Sequence, residues 1–364
     1  MAIIKLTKDC DKVKYQGRMR FEPDVCYLSW SASEIGILYS GEELFGEFIT
    51  DEAPMEPILR GVIAVYVGAE KREWRRFTVN QPEEMFCLFS RKQYADAMCC
   101  EEKDLPNELP IRIVKLSEAA FGMVGIRELK TENEREIRPL PKKEKKIAFI
   151  GDSITCGYGN EGIWGVDLFN TQQENPSVAY AVLAAEELDC DYELVCWSGI
   201  GVISGYVPPE VNEPDTTILM GDLYPYTASD LDRRLGKEPE KWNFTAEEPN
   251  VIVINIGTND DSYARRIPER TEIFAEVYKE FVRSVRKGSP SAAIVCTLGL
   301  MSGGLCPEVE RTVRELNAEG DTHIYYLAME EQKEEDGIGT DSHPSRKTHA
   351  KAAAVLAEAI RPLL

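Results

Sequence analysis

Ile147-Ala148-Phe149-Ile150-Gly151-Asp152-Ser153-Ile154-Thr155 is four apolar residues, then a glycine and a short polar pair, after which a new apolar pattern begins. Four consecutive apolar side chains without polar alternation suit a strand covered on both faces. Val251-Ile252-Val253-Ile254-Asn255-Ile256 reads the same way, as do residues 293–298; shorter strands fit residues 192–196 and 323–328. Helical patterns lie between them. Residues 178–188 are Ala-rich, and Phe274, Val277, Tyr278, Phe281, Val282 and Val285 recur at helical spacing. Residues 307–318 read as a helix with a proline in its first turn, and Pro344 opens a last helix through Ala352, Val355, Leu356 and Ile360. Strands alternating with helices predict an α/β fold: a three-layer α/β/α domain of about five parallel strands.

Upstream the pattern differs. Residues 25–30, 35–39, 45–50, 62–67, 77–79, 85–89 and 111–116 are short β-rich runs, many separated by Gly, Pro, Asp and Glu. They predict an all-β antiparallel sandwich, with a jelly roll as the preferred version. Residues 131–146 are charged, hold two prolines and read as a linker. The expected division is residues 1–140 for the sandwich and 141–364 for the α/β domain.

With 364 residues, both domains can build a core. Lys and Arg total 42 against 63 Asp and Glu, a formal charge of −21. So negative a field repels nucleic acid and anionic membranes, and points to a neutral or cationic partner; it also serves solubility alone. The apolar start of the chain is broken by Lys5 and Lys8, and no run approaches a membrane span, so a cytoplasmic location is expected. Several of the ten cysteines, such as Cys87, Cys196 and Cys296, lie in apolar runs and read as reduced core thiols. Cys99 and Cys100 have no second pair and no nearby histidine, so neither metal nor cofactor is expected.

In a parallel sheet of this kind, ligands bind beyond the C-terminal strand ends. Ser153 stands there after the first strand, where a hydroxyl and a backbone N–H could serve acyl transfer; a plain helix cap is the other reading. Trp197-Ser198-Gly199-Ile200-Gly201 follows the second strand, and either glycine could bring an N–H close to a ligand or simply make a turn. Gly257-Thr258-Asn259-Asp260 follows the third, where Asn259 could aim its amide at an oxyanion or make an Asx turn. Last comes Asp341-Ser342-His343-Pro344. In an extended segment residues two apart face one side, so Asp341 could orient His343 while His343 faces Ser153. Each signal is weak alone; their order, each at a strand end, is hard to obtain by chance. The segment 201–244 carries Tyr206, Tyr224, Tyr226 and Trp242 among prolines and glycines; it could stack on sugars or form a small core of its own. Trp164 and Trp197, beside the motif loops, are further candidates for substrate binding.

These blocks resemble the SGNH (GDSL) hydrolases, and Gly151-Asp152-Ser153-Ile154-Thr155-Cys156-Gly157-Tyr158-Gly159 is more specific than its first three residues. The preceding sandwich, with Val25-Cys26-Tyr27-Leu28-Ser29-Trp30, resembles carbohydrate esterase family 2, the acetyl xylan and mannan esterases. The resemblance implies Ser153 as nucleophile, His343 as base and Asp341 as its orienting acid, a role that a backbone carbonyl takes in some relatives. It implies an oxyanion hole from the Ser153 N–H, Gly199 or Gly201, and Asn259. The implied activity is removal of acetyl groups from xylan- or mannan-type oligosaccharides without a metal. A short-chain acyl or lipid esterase and a non-catalytic sugar-binding protein are the alternatives. Ser342 departs from the aromatic residue expected between the Asp and the His, a position implied to form a sugar platform.

Overall fold

The computed structural model describes residues 1–51, 56–246 and 248–364. It divides into two units, Met1–Lys142 and Lys143–Leu364.

The first unit is a β-sandwich of two six-stranded antiparallel sheets. Strands such as Glu43–Ile49 bury one face, with Leu44 and Phe48 buried and Glu43 exposed, whereas Val62–Val67 is buried on both. Leu28, Leu44, Phe48, Leu88, Ile126 and Leu129 from one sheet meet Ile35, Ile37, Ile63, Val65, Ile111 and Ile113 from the other in a single core. The only α-helix among the described residues of this unit is Arg91–Ala97, capped by Ser90. The expected linker begins later than the sequence suggests. Thr131 ends the strand Gly125–Thr131, and Ile137–Pro139 pairs antiparallel with Ile37 to Tyr39. Ile137 is fully buried and Leu140 nearly so, and burial of these apolar side chains favours holding the charged stretch on the sheet edge.

The second unit holds five parallel strands: β1 (Lys146–Gly151), β2 (Asp191–Cys196), β3 (Val251–Asn255), β4 (Ala293–Leu298) and β5 (Ile324–Ala328). Their order is β2-β1-β3-β4-β5. Chain direction across the sheet therefore reverses between β1 and β3, the position where such sheets bind ligands. β3 and β4 are buried along their whole length, as continuous apolar runs require. The helix Pro268–Gly288 buries Phe274, Tyr278, Phe281, Val282 and Val285 on one stripe. The last helix, Arg346–Ile360, is capped by Ser345, whose Oγ accepts from the Thr348 N–H.

Candidate active site

Ser153 follows β1 at a turn whose position 151 admits only glycine. A Cβ on Gly151 would lie 2.1 Å from Thr155 Oγ1 and 2.9 Å from the Asn255 carbonyl oxygen. Asp152 caps the single turn Ser153–Cys156, accepting from the Ile154 N–H at 3.0 Å. Asp152 is fully buried, and burial pushes its carboxyl up to about 7. A helix of one turn has little macrodipole, so any oxyanion depends on individual N–H groups.

His343 Nε2 lies 2.8 Å from Ser153 Oγ. On the other side of the ring, Nδ1 faces two backbone carbonyl oxygens, those of Asp341 at 3.1 Å and Thr340 at 3.3 Å. A carbonyl can only accept, so Nδ1 carries the proton and the Nε2 lone pair is left for the serine hydroxyl. Burial of the ring pushes its pKa from 6.5 down to about 4, against the opposing pull of those two hydrogen bonds.

The expected carboxylate is not on the imidazole. Asp341 and Ser342 have φ of 52° and 62°, so the segment is a left-handed turn and not extended chain. Residues two apart then no longer share a side, and the Asp341 carboxylate instead accepts from the Tyr158 hydroxyl at 3.0 Å. The geometry is a serine–histidine dyad oriented by main chain. Gln332 supports the same turn, with Nε2 donating to the Ser342 carbonyl at 2.7 Å.

Asn259 lies in the first turn of Thr258–Ala264, beyond β3. One N–H of its amide donates to the Ile200 carbonyl at 2.8 Å, which ties it to the glycine loop after β2. Asp260 holds that loop more firmly. Its buried carboxylate accepts from the N–H groups of Val202 at 2.9 Å, Ile203 at 2.7 Å and Ser204 at 3.1 Å. Burial pushes this carboxyl up to about 6 against those bonds. The two candidate glycines differ. A Cβ on Gly201 would strike Ser204 O at 2.1 Å and Asp260 Oδ2 at 2.5 Å, so Gly201 is required for packing. Gly199, at φ 77°, has open space where its side chain would be.

The aromatic candidates divide likewise. Tyr224 is only 5% exposed and packs on Phe244 and Phe281, with ring centroids 5.1 and 5.8 Å away, so it belongs to a local core and not to a sugar platform. Tyr226 lines a cleft with Thr217, Asp222 and Arg233, and Lys241 Nζ sits 4.5 Å from its ring centroid. Trp197 directly follows β2, and its N–H donates to the Gly151 carbonyl at 3.3 Å, beside the nucleophile turn. Trp164 is 57% exposed, and its N–H reaches the Ile338 carbonyl at 3.1 Å in the loop that carries His343. Sequence reasoning gave no role to Tyr158, Asp260 or Gln332. The first two stand inside the quoted motifs; Gln332 has no signal in the sequence.

A family model described as GDSL-like lipase/acylhydrolase matches residues 149–351. Cellulase/esterase CelE of Acetivibrio thermocellus is 34% identical over 252 residues, which cover 68% of this chain and 29% of CelE. The chain thus spans less than a third of that relative's length. An acetylxylan esterase/glucomannan deacetylase of Cellvibrio japonicus is 29% identical over 260 residues, 70% of this chain and 67% of the relative. A solved family two carbohydrate esterase from Clostridium thermocellum, in complex with cellohexaose, is similar with a TM-score of 0.79 at 28% identity, over 96% of this chain and 98% of that one. The family match contains Ser153, Asn259 and His343, the residues gathered at the ends of β1 and β3 and before the last helix, and the chain belongs to the GDSL-like lipase/acylhydrolase family.

Proposed function

We propose that this chain is a serine esterase that removes acetyl groups from neutral xylan- or mannan-type oligosaccharides. The carrying observation is the 2.8 Å approach of His343 Nε2 to Ser153 Oγ, with Nδ1 held in the donor state by carbonyls. His343 takes the hydroxyl proton as Ser153 Oγ bonds to the acetyl carbon. The N–H groups of Ser153 and Gly199 and the Asn259 amide hold the oxyanion. Collapse breaks the ester bond, and the sugar oxygen leaves with the proton from Nε2. Water then attacks the acetyl-serine by the same path and releases acetate. The sugar class is supported by what the relatives' names state, and the negative charge of the chain suits a neutral substrate. Cys26, Cys156, Cys196 and Cys296 are buried thiols, which supports a reducing, cytoplasmic setting.

A longer-chain acyl esterase is the second reading. It is favoured by Ile163, Trp164, Val166 and Leu168, all more than half exposed on a loop bonded to the His343 loop. Incubation with acetylated xylan and glucomannan oligosaccharides, followed by NMR, reads which acetyl groups are lost. Loss of acetyl from sugars, abolished in Ser153→Ala, is the expected result. Faster turnover of octanoyl than acetyl nitrophenyl esters, with intact acetylated sugars, would replace the first reading by the second. A Ser153→Ala variant as active as wild type would end both.

A further inference from the structure

We propose that Tyr158 is a positioning residue for the base: through the Asp341 carboxylate it holds the left-handed turn that aims the Asp341 carbonyl at His343. Three observations carry this. First, the nucleophile loop and the base loop are joined along their backbones. Within the nucleophile loop the Tyr158 N–H donates to the Ser153 carbonyl at 3.1 Å; across to the base loop, the Thr340 N–H donates to the Gly159 carbonyl at 2.9 Å and the Trp164 N–H reaches the Ile338 carbonyl. The approach is close enough that a Cβ on Gly162 would lie 1.9 Å from Thr340 Oγ1. Second, the Tyr158 ring is fixed on both sides. It stacks on Phe169 at 3.7 Å with the planes 6° apart, and it packs against the His343 ring at 4.5 Å. Its hydroxyl therefore has a set position, 3.0 Å from Asp341 Oδ2. Third, the turn it meets is one that non-glycine residues resist, with two successive positive φ values. Tyr158 holds the Asp341 side of that turn and Gln332 the Ser342 side. The carboxylate thus serves as a latch, and the base is oriented by the carbonyl that the latch places.

The proposal rests on the Ser153–His343 dyad and not on which ester is the natural substrate. It is tested with Tyr158→Phe, which keeps the ring but loses the hydroxyl. Asp341→Gly keeps access to positive φ but loses the latch, and Asp341→Asn keeps both an acceptor and tolerance of the turn. Two readouts are taken at matched folded fractions: the rate at which a fluorophosphonate labels Ser153, and kcat and KM on 4-nitrophenyl acetate. Tyr158→Phe and Asp341→Gly should each slow labelling and kcat by about tenfold, the scale of one charge-assisted hydrogen bond, with KM unchanged. The double variant should be no slower than either, and Asp341→Asn should stay within about threefold of wild type. A fall of about 10³–10⁴ in Asp341→Asn would make Asp341 a triad acid and overturn the latch. Wild-type labelling in Tyr158→Phe, or losses that multiply, would overturn it too. Wild type that labels but leaves acetylated sugars intact refutes the substrate reading alone; wild type that resists the fluorophosphonate refutes the dyad and the latch together.

Discussion

At Ser153 the hydroxyl meets a neutral imidazole, and the rate should follow the protonation of that ring. Burial lowers the His343 pKa from 6.5 to about 4, and only the deprotonated ring can accept the serine proton. The sign is therefore fixed: kcat/KM rises with pH through the folded-state value and is flat above it. An acid limb centred below 6.5, toward about 4, is expected on 4-nitrophenyl acetate; a limb at or above 6.5 would contradict the burial argument. Asn259→Ala removes one oxyanion donor and should lower kcat by about 10²–10³ with little change in KM. Ser153, Asn259 and His343 were legible in the sequence because each is a polar residue within about one turn of the end of an apolar strand or the start of a helix. Asp341 was legible as a residue but not in its role. Positive φ at a non-glycine residue leaves no mark in composition or periodicity, and the face rule for extended chain fails there. The role of Tyr158 depends on a partner 183 positions away, which no local pattern announces.

Among the elements, the short helix Thr258–Ala264 after β3 holds much of the glycine loop. Asn259 reaches Ile200, Asp260 gathers three N–H groups of the glycine loop, and the Ser262 hydroxyl accepts from the Val207 N–H at 2.9 Å. Arg265 extends the series, donating to the carbonyls of Pro208 and Val211 at 2.9 and 2.6 Å. Asp260→Ala would leave several buried donors without their acceptor, at about 1–3 kcal/mol each before water enters. The expected result is a loss of roughly 3 kcal/mol in unfolding of this unit together with slower acylation of Ser153. An unchanged unfolding midpoint in urea would show that the loop does not depend on the carboxylate. The strands and long helices were readable because an unbroken apolar run or a 3.6-residue stripe survives any tertiary context. Residues 131–139 were not, since a lone Ile137 among charges gives no period, yet its burial with Leu140 favours the sheet edge. For Tyr224 the sequence left two readings open for a related reason: aromatic side chains in an irregular segment build a small core, as here, as readily as a platform.

Over the whole chain, buried ionisable groups set opposite trends of stability with pH. His349 is fully buried, its Nδ1 accepts from the Tyr180 N–H at 3.2 Å, and burial lowers its pKa to about 3. Between that value and the ordinary 6.5, the unfolded chain takes up a proton that the native ring refuses, so this group makes stability rise with pH. Asp152 and Asp260, pushed up from 3.8 to about 7 and about 6, do the reverse: the native chain keeps protons the unfolded chain has shed, and stability falls as pH rises. Where the windows overlap the trends cancel in part. His349→Gln retains an acceptor for Tyr180 but cannot titrate. The stability difference, wild type minus variant, should therefore grow by a few kcal/mol at most from about pH 3 to 6.5. Parallel curves in urea unfolding across that range would show that the buried ring contributes no proton linkage.

An imidazole held by peptide oxygens also changes what substitution can do to the enzyme. No codon change deletes a peptide group, so tolerance at position 341 should sort by shape of the chain and by an acceptor for the Tyr158 hydroxyl: asparagine accepted, glycine slower but folded, valine and isoleucine rejected for their crowding at positive φ. Acidity ceases to be the quantity under selection there. The neighbouring position 342 is freed in the same way, and a lineage can alter what that turn presents outward while its proton relay stays intact.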